Sequence, residues 1–222
     1  MMSLTRRALW VGTLALLPCF TLCAPAQAAS LDDELLAIQQ EWARINYSTV
    51  PGDRKADDFG RLAGRATALA AGNPGRAEPL VWQGIVLSSQ AGAQGGLGAL
   101  SLAKEARKVL EASMKIDPTA LGGSAHTSLG TLYHKVPGFP IGFGDDDKAR
   151  KHLQSALKLN PAGIDPNYFY AEFLLDEGET ALALEHLQRA QNAPARPGRE
   201  TADAGRRQEI TALRTKAGVA AR

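Results

Sequence analysis

Along most of the chain, apolar residues recur every three or four positions, the spacing of one face of an α-helix. Residues 31–47 carry Leu35, Ile38, Trp42 and Ile45 on such a face, with Asp32, Asp33 and Glu34 at the positive end of the predicted helix. Pro51-Gly52 breaks that run, and residues 56–71 resume it with Phe59, Leu62, Ala66 and Leu69. A helix ending then recurs: LAAGNP at 69–74, MKIDP at 114–118, LKLNP at 157–161 and a weaker AQNAP at 190–194. Each is an apolar tail closed by a proline, whose ring clashes with the preceding helical turn. No stretch alternates with the period of a strand. The pattern predicts an all-α domain of about nine helices, built from repeated hairpins.

Small residues sharpen the repeat. Leu129-Gly130, Tyr133, Ala149, Leu153, Ala156 and Pro161 follow one another in an order that places a small side chain wherever two helices cross. Residues 104–118 repeat the second half of this order through Ala106, Leu110 and Ser113, with Gly84 and Leu87 supplying the first half. A third copy has Ala171, Leu174, Gly178, Ala183, Leu187 and Ala190. From about residue 54 to residue 195 the chain resembles tetratricopeptide repeat (TPR) proteins, and the resemblance implies a solenoid of helical hairpins. The prolines at 74, 118 and 161 are 44 and 43 residues apart, against about 34 for an ordinary repeat. The excess falls in AGAQGGLGAL (91–100) and VPGFPIGFGDDD (136–147), both read as inserted loops on one face. A narrower resemblance, carried by YHKVPGFPIGFGDDDKA and GIDPNYFYAEFLLDEGE, is to exported bacterial TPR proteins related to the T-component of tripartite (TRAP-type) solute transporters. It implies a partner-binding or ligand-relaying accessory protein with no catalysis of its own.

The ends of the chain differ from the repeats. Arg6-Arg7, the apolar run 8–17 and Ala26-Gln27-Ala28 have the order of a secretory signal peptide, too short in its apolar part to span a bilayer comfortably. Residues 1–28 are therefore read as a leader, 29–195 as the repeat domain, and 196–222 as a linker (ARPG) and a C-terminal capping helix from 201 to about 216. Ile210, Leu213 and Ala217 are that cap's few apolar positions, with a wet outer face expected. Both cysteines, Cys19 and Cys23, lie in the leader, so the remaining chain holds no disulfide and no nucleophilic thiol. Arg6 and Arg7 account for the whole formal net charge of +2, and no concentrated basic face suggests nucleic acid. The first helices are acidic and the last segment is basic (Arg196, Arg199, Arg206, Arg207, Arg214, Lys216), a pattern read as solvated caps, with head-to-tail association as the alternative.

Candidate contact residues lie in two places. Phe139, Ile141 and Phe143 are apolar residues in a loop stiffened by Pro137 and Pro140, which either plug a groove or touch a ligand or partner. Asn167, Tyr168, Phe169, Tyr170 and Phe173 open a helix read as capped by Asp165 and entered by Pro166. Four aromatics within that short run cannot all face one core, so one or two are expected to line the groove. Asp145, Asp146 and Asp147 precede a helix and are read as its cap rather than a calcium site. The four histidines lack zinc-ligand spacing, the glycines lack the order of a phosphate loop, and no hydrolase motif is present. No cofactor, metal or catalytic residue is assigned. The reading is a non-enzymatic periplasmic scaffold for a protein or peptide partner, such as a solute-binding protein, without stable membrane insertion. Its alternatives are a T-component-like relay of a small, partly apolar solute, and an enzyme whose site is unrecognised.

The leader makes a direct prediction. Protein recovered from the host periplasm should begin near Ala29 and contain no thiol. Intact-mass measurement checks this, and a lipid adduct on Cys19 or Cys23 would overturn it.

Overall fold

Ser30 and Asp33 open the first helix as a reciprocal cap. The Asp33 amide donates to the Ser30 hydroxyl oxygen (3.2 Å), while the Ser30 hydroxyl donates back to the Asp33 carboxylate (2.8 Å). From there the computed structural model, which describes residues 29–48 and 53–220, is a succession of helices. They are α1 (Leu31–Ser48), α2 (Asp53–Gly72), α3 (Ala77–Gln94), α4 (Gly96–Ile116), α5 (Ala120–Lys135), α6 (Asp146–Leu159), α7 (Ile164–Asp176), α8 (Thr180–Gln191) and α9 (Glu200–Ala220). No strand occurs among the described residues. The leader and the Pro51-Gly52 break lie outside them. α2, α4, α6 and α8 each end two or three residues before Pro74, Pro118, Pro161 and Pro194, where the recurring motif stops them.

Consecutive helices pack as hairpins, α3 with α4, α5 with α6 and α7 with α8, across the small residues singled out by the repeat. Ala106, Ala149, Ala156, Ala171, Ala183 and Ala190 are fully buried, as is Ser113. Gly130 shows why size matters: a Cβ there would sit 2.6 Å from Leu153 Cγ and 3.1 Å from the Ala149 carbonyl. His126 on α5 meets His152 on α6 with their Nδ1 atoms 3.0 Å apart. Burial and the neighbouring His126 push His152 down to about 4, so the pair is neutral at neutral pH and one ring donates to the other.

Two expectations are corrected. The glycine-rich stretch 91–100 is not a loop, because α3 runs to Gln94 and α4 starts at Gly96 with a break only at Gly95. Its extra residues lengthen two helices, since glycine weakens a helix by about 1 kcal/mol without forbidding it. The α7 cap is not Asp165; the helix starts at Ile164, Gly163 is its N-cap, and the Asp165 carboxylate is engaged elsewhere. The C-terminal helix caps the solenoid as expected, burying Ile210 and Ala217 and leaving its outer face exposed. It packs against α8, α7 and, at the other end of the chain, α1.

That last contact closes the solenoid on itself. α1 touches α3, α3 touches α5, α5 touches α7, α7 touches α9, and α9 returns to α1. The odd-numbered helices thus form an inner ring, and α2, α4, α6 and α8 pair with them. The seam between α9 and α1 is held by Tyr47, whose ring lies so close to Gly205 that any side chain there would enter it. Gln40 Nε2 donates to the Gly198 carbonyl (3.2 Å) and Arg199 Nη1 to Gln39 Oε1 (3.2 Å) across the same seam.

Two substitutions test these close approaches by thermal denaturation. Gly130→Leu should lower stability by about 1–3 kcal/mol, the usual cost of overpacking, as should Gly205→Val. Tyr47→Ala should recover part of the loss in the Gly205→Val background and none in the Gly130→Leu background. Additive losses for Tyr47→Ala with Gly205→Val would show that α9 does not seat on Tyr47.

Candidate functional site

The inner ring encloses a cavity of about 740 Å³. α1 supplies Trp42 and Asn46, α3 supplies Trp82, Ile85, Ser88 and Ser89, and α5 supplies Thr127, Thr131 and Leu132. α7 and α9 complete the wall with Ile164, Tyr168, Phe169, Glu172, Arg206 and Glu209. Both stretches of extra sequence reach it, the first through Gly96, Ala99 and Leu100, the second through Val136, Pro137 and Ile141. One wall is aromatic: Trp42 and Trp82 meet edge-on with centroids 6.2 Å apart, and Trp42 is pinned by its indole N–H donating to Ser89 Oγ (2.8 Å).

The adjoining wall is ionic. Asp165, at the start of α7, accepts from Arg196 Nη1 (2.7 Å) and Arg206 Nε (2.9 Å). Arg196 also binds the buried Asp203 (2.6 Å), and Arg206 binds Glu209 (2.6 Å), which in turn accepts from the Tyr47 hydroxyl (3.3 Å). The Arg206 guanidinium lies 4.5 Å from the centroids of both Tyr168 and Phe169, a cation–π arrangement. Burial alone would push the Asp165 carboxyl up, but Arg206 and Arg196 outweigh it and hold it at about 2. Tyr47 moves the other way, pushed up to about 12 chiefly by burial. Lys135 at the rim pairs with Glu172 (3.3 Å) and Asp176 (3.1 Å).

The candidate residues fall into four groups. Tyr168 lines the cavity with its neighbour Phe169, and Ile141 stands at the rim, 70% exposed. Phe139 is 93% exposed and points to no core, so the plug reading fails for these two loop residues. Phe143 is half-buried, edge-on to Tyr133 (5.7 Å) and under the Arg107 guanidinium (4.3 Å), where it anchors the loop. Asn167, Tyr170 and Phe173 are buried outside the cavity. Asn167 donates to the Pro161 and Gly163 carbonyls (2.8 and 2.9 Å) and meets His186 Nδ1 (2.9 Å), which fixes the entry to α7. Tyr170 stacks on Phe173, and Arg150 covers Phe173 (4.7 Å). Asp145 caps α6 by accepting from the Lys148 amide (3.0 Å), as the acidic run predicts.

Sequence reasoning passed over Trp42, Trp82, Asp165, Arg199 and Arg206 as site residues. One signal was available: Asp203 and Arg206 occupy the same helical stripe as Ile210 and Ala217, so charged groups stand where a helix buries its face. Among the described residues, no group of three or more His, Cys, Asp or Glu is placed to hold a metal, and no helix is long and apolar enough to cross a membrane.

No protein-family model matches the chain, and a comparison with curated proteins finds no match. Among solved structures, the chain is similar to a thermophilic TPR protein of Thermus thermophilus. The TM-score is 0.55 at 16% identity, covering 86% of this chain and 100% of that one. At that identity the likeness is one of fold: this is a TPR-like, all-helical solenoid.

Asp165→Asn should destabilise the fold at pH 7 by about 1–3 kcal/mol, because it takes from Arg196 and Arg206 one of the two carboxylates that each holds. Asp165 has a depressed pKa, so its stabilisation is complete above the unfolded value near ~4 and is lost as pH falls towards 2. Urea denaturation at pH 7, 4 and 2.5 should show that decline in the native chain and a shallower one in Asp165→Asn. Equal stability at pH 7 would refute the role given to this carboxylate.

Proposed function

We propose that this chain is a non-enzymatic binding scaffold of the periplasm, which engages a protein or peptide partner at the mouth of its helical ring. The observation that carries this reading is the 136–145 loop. Phe143 ties it down, the Gly144 amide donates to the Pro137 carbonyl (2.9 Å), and the Asp145 amide donates to the Tyr133 carbonyl (2.9 Å). On this braced loop Phe139 and Ile141 stand in solvent. A pre-ordered apolar tip lowers the ordering cost of association, and exposed aromatics anchor many interfaces. The leader-like residues 1–28 support export, and the TPR-like fold supports an interaction role. An interior groove is a less suitable place for a folded partner, because α9 closes the ring.

That closure favours a second reading for the interior, the relay of a small, partly apolar solute. The cavity volume of about 740 Å³ falls within the roughly 300–1,000 Å³ of small-molecule sites. The two readings are compatible: a solute-binding protein docked on the loop would face the cavity mouth. Catalysis is poorly served, since Asp165 near 2 is too weak a base to take a proton at neutral pH and the other lining acids, Glu172 and Glu209, are in ion pairs.

The partner reading is tested by crosslinking and pull-down in the native host with the full chain, comparing wild type with Phe139→Ala/Ile141→Ala. The double variant should melt within about 1 kcal/mol of wild type, as exposed substitutions usually do, yet capture at least tenfold less of the specific partner. Undiminished capture would exclude the loop as the contact.

A further inference from the structure

Among the described residues, every other cation of the cavity wall has a carboxylate against it, and Arg199 does not. Lys135 pairs with Glu172 and Asp176, Arg196 with Asp165 and Asp203, and Arg206 with Asp165 and Glu209. Arg199, at the entry to α9, has only a neutral side-chain partner among the described residues, Gln39 Oε1, bound through Nη1. Its Nε is buried with no acceptor. An unsatisfied, charged donor in such a place costs more than a neutral one. Burial and the nearby Arg196 pull this guanidinium below its ordinary pKa, as befits a charge lacking compensation. Its Cζ lies 5.1 Å from the centroid of the Trp82 ring, on the aromatic side of the cavity.

We propose that Arg199 is the anion-recognition group of the cavity and that the ligand is a monocarboxylate with an aromatic or otherwise apolar body. The inference rests on the small-solute reading of the interior and names its ligand class. Arg199 lines the cavity as a guanidinium without a carboxylate partner, and a ligand carboxylate supplies the missing counter-charge. The body then lies along Trp82, Trp42 and Ile85. A doubly charged phosphate would call for a second free cation, and Arg196 and Arg206 each already hold two carboxylates.

Isothermal titration of the full mature chain with 2-naphthylacetate, 2-naphthylacetamide and 2-naphthyl phosphate tests this. The three share one apolar body and differ in head group. The acid should bind wild type at least tenfold tighter than the amide and tighter than the phosphate. Arg199→Gln should erase the acid-over-amide preference while leaving amide binding within about twofold, and Arg199→Lys should keep part of the preference. Amide binding also serves as the check that each variant retains the cavity. A preference that survives Arg199→Gln would overturn the assignment of Arg199, while leaving the interior as a solute site. Tighter binding of the phosphate would overturn the carboxylate class. Failure of all three probes to bind wild type at millimolar concentration would remove the solute reading itself, and this proposal with it.

Discussion

Two arginines from the end of the chain converge on one carboxylate at the start of α7, and the shape of the molecule follows from that meeting. Asp165 takes Arg196 from the linker and Arg206 from α9 at once. Arg206 and Asp203 are buried, so these charges are stable only while every one of them is matched. Matching them fixes α9 against α7, and the direction of α9 then carries Gly205 onto the ring of Tyr47 in α1. A hairpin solenoid whose last helix could have ended in solvent becomes a closed ring. The basic C-terminal segment, which reads as a solvated cap, is in part an internal counterion for α7.

Closure changes what the repeats can do. Hairpins packed through Gly130, Ala149 and their counterparts would by themselves build an open concave face suited to an extended peptide. With α9 seated on α1, the concave face becomes the wall of a cavity, aromatic on the Trp42–Trp82 side and ionic beside Asp165. Polar and apolar walls meeting in one cavity suit a ligand with two ends. Protein contact moves outward to the rim, where Phe139 and Ile141 stand clear of the ring. The loop that bears them is held by Phe143 beneath Arg107 and by backbone hydrogen bonds, so its exposure reflects a braced conformation.

Much of the architecture was legible in the residues. The four proline-terminated tails located the ends of α2, α4, α6 and α8, and the small residues located the hairpin crossings. The acidic run located the cap of α6 at Asp145. These signals are local: a proline stops its own helix, and an alanine marks a close approach wherever its partner comes from. The same locality misled the reading of Asp165. An acid just before Pro166 is a good cap by sequence, and only the position of Arg196 and Arg206 shows that its oxygens are taken.

What the sequence determined by itself, then, was the fold class, the hairpin periodicity and the presence of an inserted loop at 136–147. Only the tertiary structure decided that the solenoid closes, that Tyr168 and Phe169 face a cavity while Tyr170 and Phe173 face the core, and that Arg199 lacks a carboxylate among the described residues. The physical reason is the range of the forces involved. Helix formation and capping are settled within a few residues of chain. Ring closure sums small rotations over four hairpins and joins groups about 160 residues apart, such as Tyr47 with Glu209. Whether a charge is paired is a property of that sum, and no window of sequence contains it.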